Sequence, residues 1–313
     1  MKIYEDINAL PKFENAVITI GSFDGVHKGH FYIINQLIQE AKRINGTPIV
    51  ITFFPHPKKI VGDDNRPVLL LNTLEEKSAL LKNAGIEHLV VVPFTKVFSE
   101  LSAEEYITNF LVSSFHPKII VTGYDHRFGN NRTGDIKLLE HFSNQFNYVV
   151  KEIPEHILQE ITISSTTIRN KIAAGEIESA NELLGYSYFF SGKVVEGNKI
   201  GRTISFPTAN LKVDYDNKLI PPTGVYAVTI EIENNVELYY GMMNIGYRPT
   251  IGGIEKIIEV NIFDFEELIY NQTLKIAVIK KLRTEEKFDG IDQLKNQLSI
   301  DKENALQVFH LIK

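Results

Sequence analysis

The chain of 313 residues contains no cysteine. That excludes disulfide cross-links and thiolate metal sites, and it fits the reducing conditions of the cytosol. No apolar run approaches the ~20 residues that a membrane span needs. The first residues, Met1-Lys2-Ile3-Tyr4-Glu5-Asp6, lack the charged-then-apolar layout of a signal peptide. There is no low-complexity segment and no short repeat. Positive charge is in deficit: the formal net charge is −6. No global field therefore draws the chain to nucleic acid or anionic lipid, and neither is an expected partner. A polyanionic ligand must be met by local positive features. The expectation is a soluble cytoplasmic protein, with room left for a weak homo-oligomer.

What is present is ordinary for a globular protein, with 43% apolar and 23% charged residues. The length suits about two domains. From residue 16 to about 150, short Val- and Ile-rich runs alternate with helical patterns. The runs are Val17–Ile20, Ile49–Phe54, Leu89–Val92, Ile119–Gly123 and Tyr148–Ile153. They are continuous rather than alternating, as expected of strands buried on both faces. Helices are expected at about 28–45, 73–84, 103–115 and 133–146. Thr73 with Glu76 and Ser102 with Glu105 have capping-box spacing. Such units imply a parallel sheet covered on both sides, with ligands beyond the carboxyl ends of its strands.

After a helix expected at about 166–184, strand-like stretches follow at 188–196, 224–233, 236–243, 257–265 and 273–280. Several alternate apolar and polar residues. Asn234-Asn235 reads as a hairpin turn. These features predict a small antiparallel barrel. Helices are expected to close the chain at about 291–298 and 302–311, with Asp301 capping the second.

The most informative stretch is Gly21-Ser22-Phe23-Asp24-Gly25-Val26-His27-Lys28-Gly29-His30, between the strand Val17–Ile20 and a helix from about Lys28. Backbone N–H groups at a helix amino end favour anions. His27 and His30, three apart, share one helix face, and the glycines let a ligand approach the backbone. The result is a candidate phosphate site. Far downstream, Ile163-Ser164-Ser165-Thr166-Thr167-Ile168-Arg169 offers hydroxyls, helix-end N–H groups and a guanidinium, a second anion trap.

These two segments, with Phe53-Phe54-Pro55-His56-Pro57 and the 123–134 loop ending Arg132-Thr133-Gly134, resemble in order and spacing the bacterial FMN adenylyltransferase module. The likeness covers about residues 1–185. It implies a Rossmann-like nucleotidyltransferase sheet and transfer of AMP from ATP to a phosphate acceptor. It assigns His27 and His30 to the α- and β-phosphates, and Ser164, Ser165, Thr166 and Arg169 to the departing pyrophosphate. Gly21, Ser22, Phe23, Asp24, Gly25 and Gly29 complete the nucleotide site, with Asp24 as a polar anchor. The loop residues Asp125, Arg127, Phe128 and Arg132 are assigned to adenine or flavin, without a choice between them. His126 departs from a common Phe.

In the second half, Gly197-Asn198-Lys199-Ile200-Gly201-Arg202 precedes Phe206-Pro207-Thr208-Ala209-Asn210. If 208–210 is extended, Thr208 and Asn210 project to one side, and their oxygens suit magnesium. This resembles riboflavin kinase, as do Pro222-Thr223-Gly224-Val225-Tyr226, Asn244-Ile245-Gly246-Tyr247-Arg248-Pro249-Thr250 and Glu259-Val260-Asn261. The likeness covers about residues 187–313. It implies a kinase-like barrel, metal ligation by Thr208 and Asn210, phosphate contacts from Lys199, Gly201 and Arg202, and Glu259 as the base for the ribityl hydroxyl. Ser205 replaces a usual Gly, and Asn261 a frequent His.

Taken together, the chain resembles the bifunctional riboflavin kinase/FMN adenylyltransferase (bacterial FAD synthetase) family, divided as 1–185 and 186–313. Riboflavin, FMN and FAD would be its substrates and products, ATP its co-substrate and Mg2+ its metal. Three other readings stay open. A decayed kinase domain would not make FMN from riboflavin. A flavin-binding regulatory module would bind flavin without ATP turnover. A nucleotidyltransferase for another acceptor would fail to adenylylate FMN.

Overall fold

A computed structural model describes residues 1–62, 68–153, 163–197, 206–214, 217–250 and 253–312. The chain divides into two compact units, Met1–Ser165 and Thr166–Lys313.

In the first unit six strands form one sheet: β1 (Lys2–Tyr4), β2 (Val17–Ile20), β3 (Pro48–Phe54), β4 (His88–Pro93), β5 (Ile119–Gly123) and β6 (Val149–Ile153). Their order is β1-β4-β3-β2-β5-β6, and every pairing is parallel. The two-residue period of a strand explains why the runs of the inner strands are apolar apart from single buried threonines, whereas the edge strand β6, expected to be buried on both faces, exposes Val149, Lys151 and Glu152. Ile18, Ile49, Ile51, Val90 and Ile120 face one core, with Tyr106, Phe110 and Leu139 from the helical segments 103–115 and 136–146. Val17, Val50, Leu89, Val91 and Ile119 face the other, with Ile34, Leu37 and Leu81 from helices Lys28–Arg43 and Leu74–Asn83.

The chain runs outward from β2 through β3 to β4, then returns to the far side of β2 to form β5 and β6. This reversal puts a crevice at the carboxyl ends of β2 and β5. Pairing between them is confined to Val17↔Ile119 and Ile18↔Ile120. The 21–30 turn leaves one lip of that crevice and the 123–134 loop the other.

Three details differ from expectation. The short edge strand β1 has too few residues to show a period. The 103–115 helix forms, but Tyr106–Val112 in its middle winds with wider, π-type turns. The helix expected over 166–184 is two, Ser165–Ala174 and Ile177–Leu184, broken where Gly175 takes φ 80°. Both expected capping boxes are present, at Thr73/Glu76 and Ser102/Glu105.

The second unit is a closed barrel of six antiparallel strands: β7 (Phe189–Val195), β8 (Ala209–Lys212), β9 (Gly224–Ile232), β10 (Leu238–Thr250), β11 (Gly253–Ile262) and β12 (Thr273–Arg283). Closure runs β10-β11-β8-β7-β12-β9, and β9 and β10 meet at the Asn234-Asn235 turn. Asn181 holds helix Ile177–Leu184 to the barrel. Its amide donates to the Val278 carbonyl at 2.9 Å and accepts from the Tyr188 N–H at 2.7 Å. The two closing helices are one, Ile291–Ile312. It lays Ala305 and Phe309 over Ala227, Met242 and Phe263. Asp301 is therefore not a cap. It lies mid-helix, fully buried, and accepts from Arg283 Nε and Nη2 at 2.9 and 2.8 Å and from Gln297 Nε2 at 3.0 Å.

Candidate active sites

The turn after β2 is tightly built. Phe23, Gly25 and Val26 have φ of 46°, 85° and 32°. A branched valine in the left-handed region is strained by roughly 1–3 kcal/mol. Burial of the Phe23 and Val26 side chains offsets this, each gaining about 1.5–3 kcal/mol. His27 then caps the helix Lys28–Arg43, its Nδ1 accepting the His30 N–H at 3.4 Å. The two imidazoles stack with centroids 3.7 Å apart at 17°. Gly29 makes this possible: a Cβ there would stand 3.3 Å from Cε1 and Nδ1 of His27. Burial, then the neighbouring His27 and Lys77, hold the His30 pKa well below that of a free imidazole. His30 Nδ1 is buried without a hydrogen-bond partner among the described residues.

Asp24 is nearly inaccessible, and its Oδ1 accepts the Leu71 and Asn72 N–H groups at 2.9 and 3.3 Å. Its carboxylate thus sets the position of the turn rather than facing an open site. The Asp24 carbonyl, in turn, accepts the Ser165 hydroxyl at 2.8 Å. The first unit therefore joins the histidine turn to the downstream serine segment, 141 residues apart. Ser164 and Thr166 are exposed. Within the second unit Arg169, the fifth residue of its helix, reaches back to the Thr166 hydroxyl at 3.4 Å.

The 123–134 loop is less uniform than its sequence suggested. Phe128 faces the core and stacks on Tyr106 at 5.0 Å and 25°, so it anchors the loop. Arg127 pairs with Asp135, which caps the following helix, at 3.2 Å. Asp125 and Arg132 are exposed. His126 has a buried Nε2 with no hydrogen-bond partner among the described residues, and desolvation lowers its pKa to about 4. His56 is buried and accepts the Lys58 N–H on Nδ1 at 3.2 Å.

On the barrel, Glu259 pairs across β11 with Asn210 of β8 on one side and Asn244 of β10 on the other. Residues paired across antiparallel strands point to the same face, so these three side chains form a row. Burial raises the Glu259 pKa, against an opposing effect from Arg248. Gly197 lies against this row, since a Cβ there would fall on the Asn210 amide. Asn261, next on the same strand face, is buried and donates to the Pro207 carbonyl at 2.7 Å. It pins the Pro-Thr-Ala-Asn segment to β11. Thr208 is exposed at the rim of a cavity of about 350 Å³, lined also by Val260, Ile262, Phe265 and Tyr270. Lys199, Gly201, Arg202 and Ser205 lie outside the described residues.

One residue escaped sequence reading. Lys77, on the helix Leu74–Asn83, is 6% exposed beneath the histidine turn. A lysine on the buried side of an amphipathic helix was its only signal.

The two units correspond to two known modules: the FAD synthetase family matches residues 10–167 and the riboflavin kinase family residues 184–309. The class is that of a two-module flavin-nucleotide transferase. The bifunctional riboflavin kinase/FMN adenylyltransferase of Haemophilus influenzae is 36% identical over 303 residues, 97% of each chain. That of Bacillus subtilis is 39% identical over 301 residues, 94% of this chain and 92% of its own. The chain belongs to the bifunctional riboflavin kinase/FMN adenylyltransferase family. A crystal structure from Streptococcus pneumoniae, described as a macrolide-efflux protein, shares the fold with TM-score 0.85 at 33% identity, over 96% of this chain and 97% of its own. Among the described residues here, no helix is long and apolar enough to cross a membrane.

Proposed function

We propose that the chain phosphorylates riboflavin to FMN with one ATP and adenylylates FMN to FAD with a second, releasing pyrophosphate. The activities divide near residue 185; the two family matches leave 168–183 to neither. The observation that supports the adenylylation half is the Ser165–Asp24 bond, because it holds Ser165 of the downstream segment against the histidine turn within the first unit. The cytoplasm is the proposed compartment and small molecules are the proposed partners.

In adenylylation the FMN phosphate is the nucleophile. Its second pKa is about 6, so it is largely dianionic at neutral pH and needs no base. One of its oxygens bonds to the α-phosphorus as the bond to pyrophosphate breaks. The chain's task is alignment and the offset of developing negative charge. His27 accepts a backbone N–H on Nδ1, so its neutral form carries the proton on Nε2 and donates there. His30, kept neutral by burial, is the second donor. These two serve the α- and β-phosphates. Gly21, Ser22, Phe23, Gly25 and Gly29 shape the turn. Ser164, Ser165, Thr166 and Arg169 take the pyrophosphate, and the exposed Asp125 and Arg132 are offered to adenine or flavin.

In the kinase step the ribityl 5′-hydroxyl must lose a proton as it attacks the γ-phosphorus. Glu259 accepts it, and burial makes this carboxylate a stronger base. Magnesium fits the neutral oxygens of Thr208 and Asn210. Among the described residues no group of three His, Asp or Glu could hold a metal alone, so ATP oxygens complete the set. When bound, the ion neutralises phosphate charge. The cavity beside Thr208 is lined by Val260, Ile262, Phe265 and Tyr270 together with the carboxylates Glu266 and Glu267, and the alternation of β11 puts Val260 and Ile262 on the face opposite Glu259.

Riboflavin, magnesium and excess ATP should yield FMN, FAD, ADP and pyrophosphate on chromatography. Flavin bound without ATP turnover, or FMN that is not adenylylated, would overturn the proposal.

A further inference from the structure

Lys77 is a buried cation that the two proposed reactions leave without a task. Its Nζ donates to the Ser22 carbonyl at 2.7 Å and to the Thr52 hydroxyl at 3.2 Å. The Thr52 hydroxyl donates to that same Ser22 carbonyl at 3.1 Å. Two donors from two elements, a helix and β3, thus converge on one oxygen of the histidine turn. The charged groups that act on or beside this ammonium are Asp24, which attracts it, and His30, which it influences. Burial lowers the Lys77 pKa to about 8. The core on this side of the sheet is apolar, and an apolar side chain of equal length would avoid desolvating a charge.

The clamp has a geometric consequence. A trans peptide is planar, so fixing the Ser22 C=O inward turns the Phe23 N–H to the opposite edge. That N–H has no hydrogen-bond partner among the described residues. The Phe23 ring lies 5.1 Å from the His30 ring, so this peptide directly precedes a residue in contact with the histidine pair.

We propose that Lys77 is a positioning residue of the adenylyltransferase site, holding the Ser22–Phe23 peptide so that its N–H meets the ATP phosphates and setting a fixed positive charge behind His30. It rests on the reading of this turn as the ATP site. The charge also favours the neutral form of His30, the form that donates without repelling His27.

The test uses the full chain carrying Lys77→Met and Lys77→Arg. Both are assayed for FMN adenylylation with ATP varied, and for riboflavin phosphorylation as an internal control. Lys77→Met should raise the ATP KM of adenylylation about tenfold and leave phosphorylation within twofold. Lys77→Arg, which keeps charge and donors, should recover part of the loss. The NMR titration midpoint of the His30 ring should rise in Lys77→Met and return toward the wild-type value in Lys77→Arg, a pattern that follows the charge at position 77 rather than its packing. Wild-type adenylylation kinetics in Lys77→Met, or an unmoved His30 midpoint, would overturn the inference. If Lys77→Met fails to fold, Thr52→Val removes the second donor to the same carbonyl. It should raise the ATP KM severalfold, and an unchanged KM would equally overturn the clamp. A wild-type protein unable to adenylylate FMN would instead sink the functional reading itself.

Discussion

Ser165 donates its hydroxyl to the Asp24 carbonyl across 2.8 Å, joining the start of a late helix to the first strand-to-helix turn. In the proposed adenylylation site the two segments bring different groups. One brings paired imidazoles and helix-end N–H groups, the other hydroxyls. A partly buried hydrogen bond of this kind contributes a net ~1 kcal/mol, about fivefold in an equilibrium constant. Ser165→Ala should therefore raise the ATP KM of FMN adenylylation about fivefold, with riboflavin phosphorylation unchanged. Steady-state kinetics of both reactions on one preparation measure this. Equal loss in both would mean that the bond serves folding generally.

The two reactions use separate groups, so they should be separable. Glu259→Gln removes the proposed proton acceptor of the kinase step and should lower FMN formation by about 10²–10⁴. The same variant should convert supplied FMN to FAD at the wild-type rate. His30→Ala should do the reverse, accumulating FMN from riboflavin. Product analysis with riboflavin, and separately with FMN, decides the matter. A folded variant that loses both steps would show that the sites are not independent.

The alternation of strands and helices was legible because strands buried on both faces are nearly continuous in apolar residues, as Val17–Ile20 with its single Thr19 and Ile49–Ile51 are. The His27/His30 turn was legible because its chemistry is local. Lys77 was not, since its partners Ser22 and Thr52 stand 55 and 25 residues away. Asn261 carried a similar ambiguity. It occupies a position where the family often has His, which suggested a ligand contact, yet its amide holds Pro207. Phe128 was assigned with its loop to adenine or flavin, but its buried ring packs against Tyr106, a partner 22 positions away that no local pattern announces.

Asp301 shows how a local signal misleads. A short acidic residue between two helical patterns reads as an N-cap, but here the helix runs on and the carboxylate meets Arg283 from β12. Removing one partner of a buried pair leaves the other charge uncompensated, at a cost of about 3–5 kcal/mol. Asp301→Asn should lower the melting temperature of the barrel and impair riboflavin phosphorylation through instability. Adenylylation of supplied FMN, assayed below the melting transition, should persist. Calorimetry of the full chain checks this, and an unchanged melting profile would assign the pair no stabilising role.

His126 predicts a pH dependence of stability with a defined sign. Desolvation lowers its folded-state pKa from 6.5 to about 4. Between those values the unfolded chain binds a proton that the folded chain does not, so stability falls as pH drops through that window and is flat above it. His30 contributes in the same direction. Phe, common at position 126 in the family, cannot titrate. His126→Phe should therefore match the wild type's slope above pH 7 yet lose less stability on acidification. The difference should be roughly 2 kcal/mol, below the full linkage value because part of the residue reaches water. Urea melts of both proteins at pH 7 and near pH 4.5 provide the measurement. Parallel losses would mean that the His126 ring gains a proton without leaving its buried position.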